Sequence, residues 1–321
     1  MKGFIHILSN IQISDYHKGI ELVKNNIFRK ATPKEILLIK NELKKIPILH
    51  GIEDNDRKFI YEYESGKVKT DEYTTYEKIN LNEDDFKYWI IEFDNNHQVQ
   101  FLELAINLIN NSFELGFTFI YSDTNQEKVS IMYSDYIINK YKNMECNYYN
   151  YKTTAVDIDE IISIQKIYKR LMENSEKELF IKYSIDNFNS LKYIDDNSNL
   201  LFVGYFSIIE SLVTHSPRLK ESLDSISHQI VNKLNLLQKF FLRQVDYNKY
   251  FNSLGQDKVW SKLYSYRSDI AHGNPISFEK EAKYKALKSK KNIKLFLEEI
   301  IKNLILVAIN NPELLCDLKK C

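Results

Sequence analysis

The chain has 321 residues, 44% of them apolar and 27% charged, and its 44 basic side chains balance 44 acidic ones to a formal net charge of zero. That length suits two domains of ordinary size, and the composition is globular rather than disordered. Charge balance argues against a protein that coats nucleic acid along a basic track and leaves room for a local site on RNA.

Residues 1–150 read as a mixed α/β domain. Thr32-Pro33-Lys34-Glu35 is a capping box with proline at the first helical position, and the helix it opens runs to about Lys45 with Ile36, Ile39, Leu43 and Ile46 on one face. Phe59 to Tyr63 alternates like a strand and ends at the turn signal Ser65-Gly66. Trp89 to Phe93 reads as a second strand, Gln98 to Asn110 as a helix, and Phe117–Tyr121 with Val129–Tyr133 as a strand pair around Asp123-Thr124-Asn125. Tyr136 to Tyr151, rich in tyrosine and asparagine, has no clean period and is taken as the linker.

Residues 151–321 read as all-α, so the fold class is α+β. Asp157 with Glu160 marks a helix start, with Ile158, Ile161, Ile162, Tyr168, Leu171 and Met172 as its apolar stripe. A shorter helix follows over Glu178–Leu191, then a very apolar one over Asn199–Thr214. Ser216-Pro217 opens the next, where Leu219, Leu223, Ile226, Ile230, Leu234 and Leu237 step by three and four. Gln256–Ala271 is a helix ended by Gly273-Asn274-Pro275, because glycine suits the left-handed cap and proline cannot continue a helix. Ser277 caps the last helical region, which runs to Ile309 with a break near Ser289.

Eight glycines in the whole chain leave no Gly-rich phosphate loop, and no cofactor is expected. Three cysteines, Cys146, Cys316 and Cys321, show no paired spacing and no zinc pattern, as in a reduced cytoplasm. Met1 to His6 lacks the features of a signal peptide, and the apolar run Leu200–Val213 is too short for a span and contains Glu210. A cytoplasmic protein without a membrane partner is therefore expected. His6, His17, His50 and His97 are scattered, and His215 and His228 flank the Ser216-Pro217 turn; no pair has metal-ligand spacing.

The chemistry concentrates in Leu263-Tyr264-Ser265-Tyr266-Arg267-Ser268-Asp269-Ile270-Ala271-His272-Gly273. Histidine exchanges a proton near neutral pH, and arginine is a permanent cation whose planar fork fits phosphate oxygens. The segment resembles the Arg-x4-6-His signature of the HEPN superfamily, and most resembles its Apea-like branch from bacterial anti-phage proteins. That branch also has an upstream helix like Phe206-Ser207-Ile208-Ile209-Glu210-Ser211-Leu212, and the resemblance covers roughly residues 155–312. It implies an all-α HEPN domain and a metal-independent endoribonuclease, a toxin-like effector whose Arg267 and His272 are catalytic. It also implies a homodimer in which two Arg–His pairs share one cleft. On a straight helix the two side chains diverge by about 140°, which also points to a second protomer.

Each supporting residue has two readings. Glu210 sits among Phe202, Val203, Phe206, Ile209 and Val213; it either orients Arg267 or His272, or forms a solvent-facing shoulder. Ser268 and Asp269 adjoin the pair, and Asp269 either holds the histidine tautomer or is a solvated acid. Asn274 contacts RNA or is a turn residue. Lys288, Lys290 and Lys291, in the basic stretch from Lys283, guide RNA or form a solvated face. Tyr61, Tyr63, Trp89 and Phe93 could stack bases, but core packing accounts for them better. Residues 1–150 hold no catalytic constellation, so sensing a phage-derived trigger or restraining the nuclease is their expected work. The alternatives are a catalytically silent HEPN module that binds RNA or nucleotide or acts as a scaffold, and a helical interaction protein whose Arg–His pair is structural.

Overall fold

A computed structural model of the chain describes residues 1–13, 19–47, 58–69, 74–94, 99–109, 112–122, 128–150, 153–174, 179–217 and 225–320. The architecture is α+β, and the chain divides into two compact units, Met1–Tyr168 and Lys169–Cys321.

The first unit is built on a six-stranded sheet. Its strands are β1 (Gly3–Ile7), β3 (Ile20–Val23), β4 (Asn26–Lys30), β7 (Trp89–Phe93), β8 (Leu115–Tyr121) and β9 (Val129–Met132), in the spatial order β3-β4-β7-β1-β8-β9. Every neighbour is antiparallel. Three of these strands, β7, β8 and β9, follow the expected spans; residues 123–127 between β8 and β9 lie outside the described residues. Strands β1, β3 and β4 are not marked in the sequence as strands. All five residues of β1 are buried, so it shows no alternation for a period-2 reading to find. Gly3 is required there: a Cβ would stand 2.1 Å from the carbonyl oxygen of Phe119 on β8.

Helices cover both faces of this sheet. Phe4 faces a core shared with Ile39 and Leu43 of α1 (Pro33–Lys44) and with Tyr141 and Met144 of α3 (Asp135–Cys146). Ile5 faces Phe93, Ile120 and Val99, the first residue of α2 (Val99–Leu108). The capping box at Thr32 and Glu35 is formed in both directions.

Three expectations about this region are corrected. The 136–151 tract is mostly helix α3, not a linker: Ile137, Ile138, Tyr141 and Met144 recur at helical spacing and pack on the sheet. Phe59–Glu62 is a turn, because the amides of Phe59 and Ile60 donate to the carboxylates of Glu62 and Glu145 at 2.9 Å rather than to a strand. Ser65-Gly66 lies inside β5 (Tyr63–Lys69), which pairs antiparallel with β6 (Thr74–Asn80). Nor does the first unit stop at residue 150: β10 (Thr154–Val156) pairs parallel with β2 (Ile11–Ile13), which ties that segment back to the N-terminus.

Helix α4 (Ile158–Asn174) runs through the division between the units, with Ile161, Ile164 and Leu171 buried while Ile158, Ile162 and Met172 are exposed. The rest of the second unit is helical. It comprises α5 (Leu179–Leu191), α6 (Asn199–Val213), α7 (Ile226–Leu237), the short α8 (Tyr247–Phe251) and α9 (Gln256–Ala271). After them come the short α10 (Ala282–Lys285), α11 (Lys290–Asn310) and α12 (Pro312–Lys320). The apolar α6 sits at the centre and touches α5, α7, α9, α11 and α12. Helix α7 starts at Ser225, not at Ser216; Leu219 and Leu223 lie outside the described residues. Ser277 begins a turn instead of a long helix, and Ser289 is the N-cap of α11, accepting the amide of Asn292 at 3.2 Å. No helix among the described residues is long and apolar enough to cross a membrane.

Candidate functional site

Helix α9 carries Arg267, and its residue order explains the placement. Val259, Trp260, Leu263, Tyr266 and Ile270 form the buried stripe. The stripe therefore runs through Tyr266, while Tyr264 is half-buried and Ala271 exposed. Tyr266 is fully buried, with its ring against Phe202, Phe278 and Tyr284 at centroid distances of 5.5, 5.8 and 5.8 Å. That aromatic cluster seats α9 on α6.

With Tyr266 fixed, Arg267 emerges at the stripe's edge and meets Glu210 near the C-terminal end of α6. The guanidinium Nε lies 3.4 Å from Glu210 Oε1, and a terminal nitrogen reaches Oε2 at 3.5 Å. Both side chains are shielded but open to solvent, at 29% and 18% exposure. This is an ion pair with slack in it: Nε and Oε1 are buried atoms without a hydrogen-bond partner. Burial pushes the Glu210 carboxyl above its usual range, and the nearby Arg267 charge pulls it partly back. Glu210 thus contacts Arg267 rather than standing as a solvent-facing shoulder.

The helix end places His272. His272 is the C-cap of α9, exposed, with its amide donating to Ser268 O at 3.0 Å. Gly273 follows at φ +71°. The Gly273 amide donates to Ile270 O at 3.1 Å and the Asn274 amide to Asp269 O at 2.9 Å, the two bonds of a Schellman cap. No hydrogen bond or ion pair joins His272 to Arg267 among the described residues; the pair lies on separate arcs of one helix, as the straight-helix angle demands.

Asp269 does not hold the histidine. Its carboxylate accepts from Lys283 Nζ at 2.5 Å, from Asn274 Nδ2 at 2.9 Å and from the Tyr284 hydroxyl. Lys283 above all, then Tyr284 and Asn274, hold the Asp269 carboxyl well below the usual carboxylate range. The bonds clamp α10 and the turn after α9 onto α9 itself. They also occupy the Asn274 side chain, so it is a turn residue here. Ser268 is half-buried beside Arg267 and carries the carbonyl that accepts from His272.

The lysines do not gather at this site as a group. Lys290 Nζ donates to Asn197 O at 3.0 Å and Asn199 Oδ1 at 2.9 Å, at the start of α6. Asn199 and Glu210 stand about 16 Å apart along that helix at 1.5 Å per residue. Lys290 is thus engaged at the far end of α6, while Lys288, at φ +67°, and Lys291 are exposed near it. Guidance of RNA to the cleft by Lys290 is not supported by this placement.

The remaining candidates separate by burial. His6 is fully buried; His17, His50 and His97 lie outside the described residues. His215 sits with Gln229 and Lys233, whose Nζ is 3.1 Å from its Nδ1, and His228 Nδ1 is 2.9 Å from Ser225 Oγ. Among the described residues no group of three or more His, Cys, Asp and Glu is placed to hold a metal ion. Tyr61, Tyr63, Trp89 and Phe93 are core residues, at most 3% exposed, so none offers a ring to a base. The first unit does contain a cleft of about 370 Å³ whose lining includes Ile13, Lys30, Glu64, Asp85, Lys87 and Trp89. Sequence reasoning passed over Tyr264 as a packing residue. Its ring centroid lies 5.9 Å from the guanidinium carbon of Arg267, and its spacing of one turn before the arginine was the available signal.

No family model, curated protein or solved structure matches the chain.

Proposed function

We propose that this chain is a metal-independent endoribonuclease of HEPN type, a cytoplasmic toxin-like effector in phage defence, acting as a homodimer through its α-helical unit. The observation that carries this reading is the end of α9. There a half-exposed guanidinium is steadied by Glu210, and an exposed imidazole sits five residues on, at a rigidly capped helix terminus. In the reaction the 2′-hydroxyl oxygen of RNA forms a bond to the adjacent phosphorus as the bond to the 5′-oxygen breaks. His272 of one protomer takes the 2′-hydroxyl proton, and the second protomer's histidine gives one to the departing 5′-oxygen. Arg267 neutralises the charge that builds on the phosphoryl oxygens. The products are a 2′,3′-cyclic phosphate and a 5′-hydroxyl, and DNA, lacking the nucleophile, resists.

The Mechanism needs two copies because one chain keeps Arg267 and His272 apart. In the last turns of α9 the arc between them carries Ala271, Tyr264 and Ser268, two of them small, so a second α9 can approach this face closely. The first unit acts as sensor or restraint, and its cleft at Lys30 and Lys87 offers a place for a small ligand. The Arg267–Glu210 ion pair also favours a second reading, a silent HEPN module in which that pair is structural.

Incubation of purified protein with total RNA in EDTA, followed by end-mapping, separates the readings. Cleavage should persist and leave cyclic phosphate and 5′-hydroxyl ends. Arg267→Ala and His272→Ala should each lower it by about 100-fold or more in folded protein. Activity lost in EDTA and restored by magnesium would overturn the mechanism, and wild-type cleavage by folded His272→Ala would overturn the assignment. No cleavage by the unsubstituted chain, with RNA binding retained, favours the silent module.

A further inference from the structure

The surface of α9 between the two proposed catalytic side chains carries its own chemistry. Taking Arg267 as origin, Ala271, Tyr264 and Ser268 project at about 40°, 60° and 100° round the helix, with His272 at about 140°. Ala271 and Ser268 are small, so Tyr264 is the one ring on this part of the helix surface. It is half-buried, whereas Trp260 and Tyr266 of the same helix and Tyr284 of α10 are at most 1% exposed. Its ring lies 5.9 Å from the guanidinium carbon of Arg267, within the range of a cation–π contact. Burial first, and then the Glu210 carboxylate, push its phenol upward, so it stays a neutral hydroxyl at working pH.

We propose that Tyr264 is the base-binding residue of this site, stacking the nucleobase of the nucleotide whose phosphate Arg267 holds, and that the substrate is therefore single-stranded or locally unpaired RNA. The inference rests on the ribonuclease reading and deepens it. The Arg267 guanidinium lies over one face of the Tyr264 ring, so cation and ring match the two parts of one nucleotide, a phosphate on the guanidinium and a flat base on the ring's other face. In a duplex both faces of each base are covered by its neighbours, and only an unstacked base can lie on the tyrosine. Stacking of this kind accepts every base, since each has a π-face, so the site selects for strand state rather than for sequence. The tyrosine acts by positioning: it holds the ribose next to the phosphate and takes no proton in the reaction.

The test uses the full chain with His272→Ala to stop turnover, and a short fluorescein-labelled single-stranded RNA read by anisotropy. Tyr264→Leu should weaken binding about tenfold, since one base stack on an aromatic ring is worth about 1–3 kcal/mol, and Tyr264→Phe should bind within about twofold of the parent. The slope of log Kd against log salt should not change with either variant, because the ring neutralises no phosphate. An oligomer of the same length with abasic residues should bind the unsubstituted tyrosine protein about tenfold more weakly than the RNA, a comparison that needs no tyrosine variant to fold. Equal affinity of the Leu variant, or equal affinity for RNA and its abasic counterpart, overturns the proposal. If the unsubstituted chain cleaves RNA while those comparisons show no difference, Tyr264 alone is wrongly assigned. If no form binds RNA, the ribonuclease reading falls and this inference with it.

Discussion

His6 and His272 occupy opposite environments. His272 is exposed at the end of α9. His6 is fully buried on the central strand, edge-on to Tyr61 with ring centroids 5.0 Å apart, and neither of its ring nitrogens has a hydrogen-bond partner. A charge there has nothing to offset its loss of water, and burial holds the pKa down at about 3 against the ordinary 6.5. The unfolded chain takes up this proton as pH falls through 6.5, while the folded chain refuses it until about 3. Stability is therefore present at neutral pH and lost progressively across that window, by on the order of 5 kcal/mol at its full extent. His6→Phe, which keeps a ring and removes the proton site, should show a smaller drop in melting temperature between pH 7.5 and pH 5 than the parent. An equal drop in both would assign acid sensitivity elsewhere. The two histidines look alike in the sequence, because an isolated residue type does not reveal its burial.

At the scale of elements, the end of α9 shows what local sequence can specify. Gly273-Asn274-Pro275 marks a helix stop, and the stop is a Schellman cap with glycine in the left-handed region. A Cβ at Gly273 would meet nothing within 4 Å, so the backbone angle alone demands glycine. Gly273→Ala should therefore cost about 1 kcal/mol in urea denaturation and Gly273→Asn less, since asparagine tolerates this conformation better. Because His272 is the cap residue, the Ala variant should also lose more RNA cleavage than its stability loss accounts for. Unchanged cleavage in that variant would show that the histidine does not depend on the cap. Capping chemistry was equally legible at Thr32 and Glu35. Helix α3 was not, because its stripe uses Tyr141 and Met144 among many asparagines and lysines, and only contact with the sheet makes that stripe the inner face. Strand β1 escaped for the converse reason: buried on every side, it has no polar beat.

For the whole molecule the division at Tyr168–Lys169 falls inside α4, while β10 belongs with β2 of the first unit. A fragment meant to isolate the helical unit should accordingly begin at Asp157, leaving β10 behind and keeping α4 whole. Such a fragment retains Glu210, Tyr264, Arg267 and His272, and it should fold, dimerise and cleave RNA, yet differ from the full chain in toxicity or in its response to infection. Light scattering and a toxicity assay decide both points. A fully active full-length protein that stays monomeric at assay concentration would contradict the shared cleft, and a fragment that matches the full chain in toxicity and protection would contradict control by the first unit.

The sequence by itself determined the α+β order, the capping box and the helix stop after His272, because each depends on neighbours within a turn or two. Tertiary structure alone decided which way the candidate-site residues face. It paired Glu210 with Arg267 across fifty-seven positions, turned Asp269 to Lys283, Asn274 and Tyr284 rather than to the histidine, and engaged Lys290 at the far end of α6. Side chains far apart in the chain choose partners by the geometry of packed helices, and that geometry follows from buried rings such as Tyr266 rather than from any local spacing.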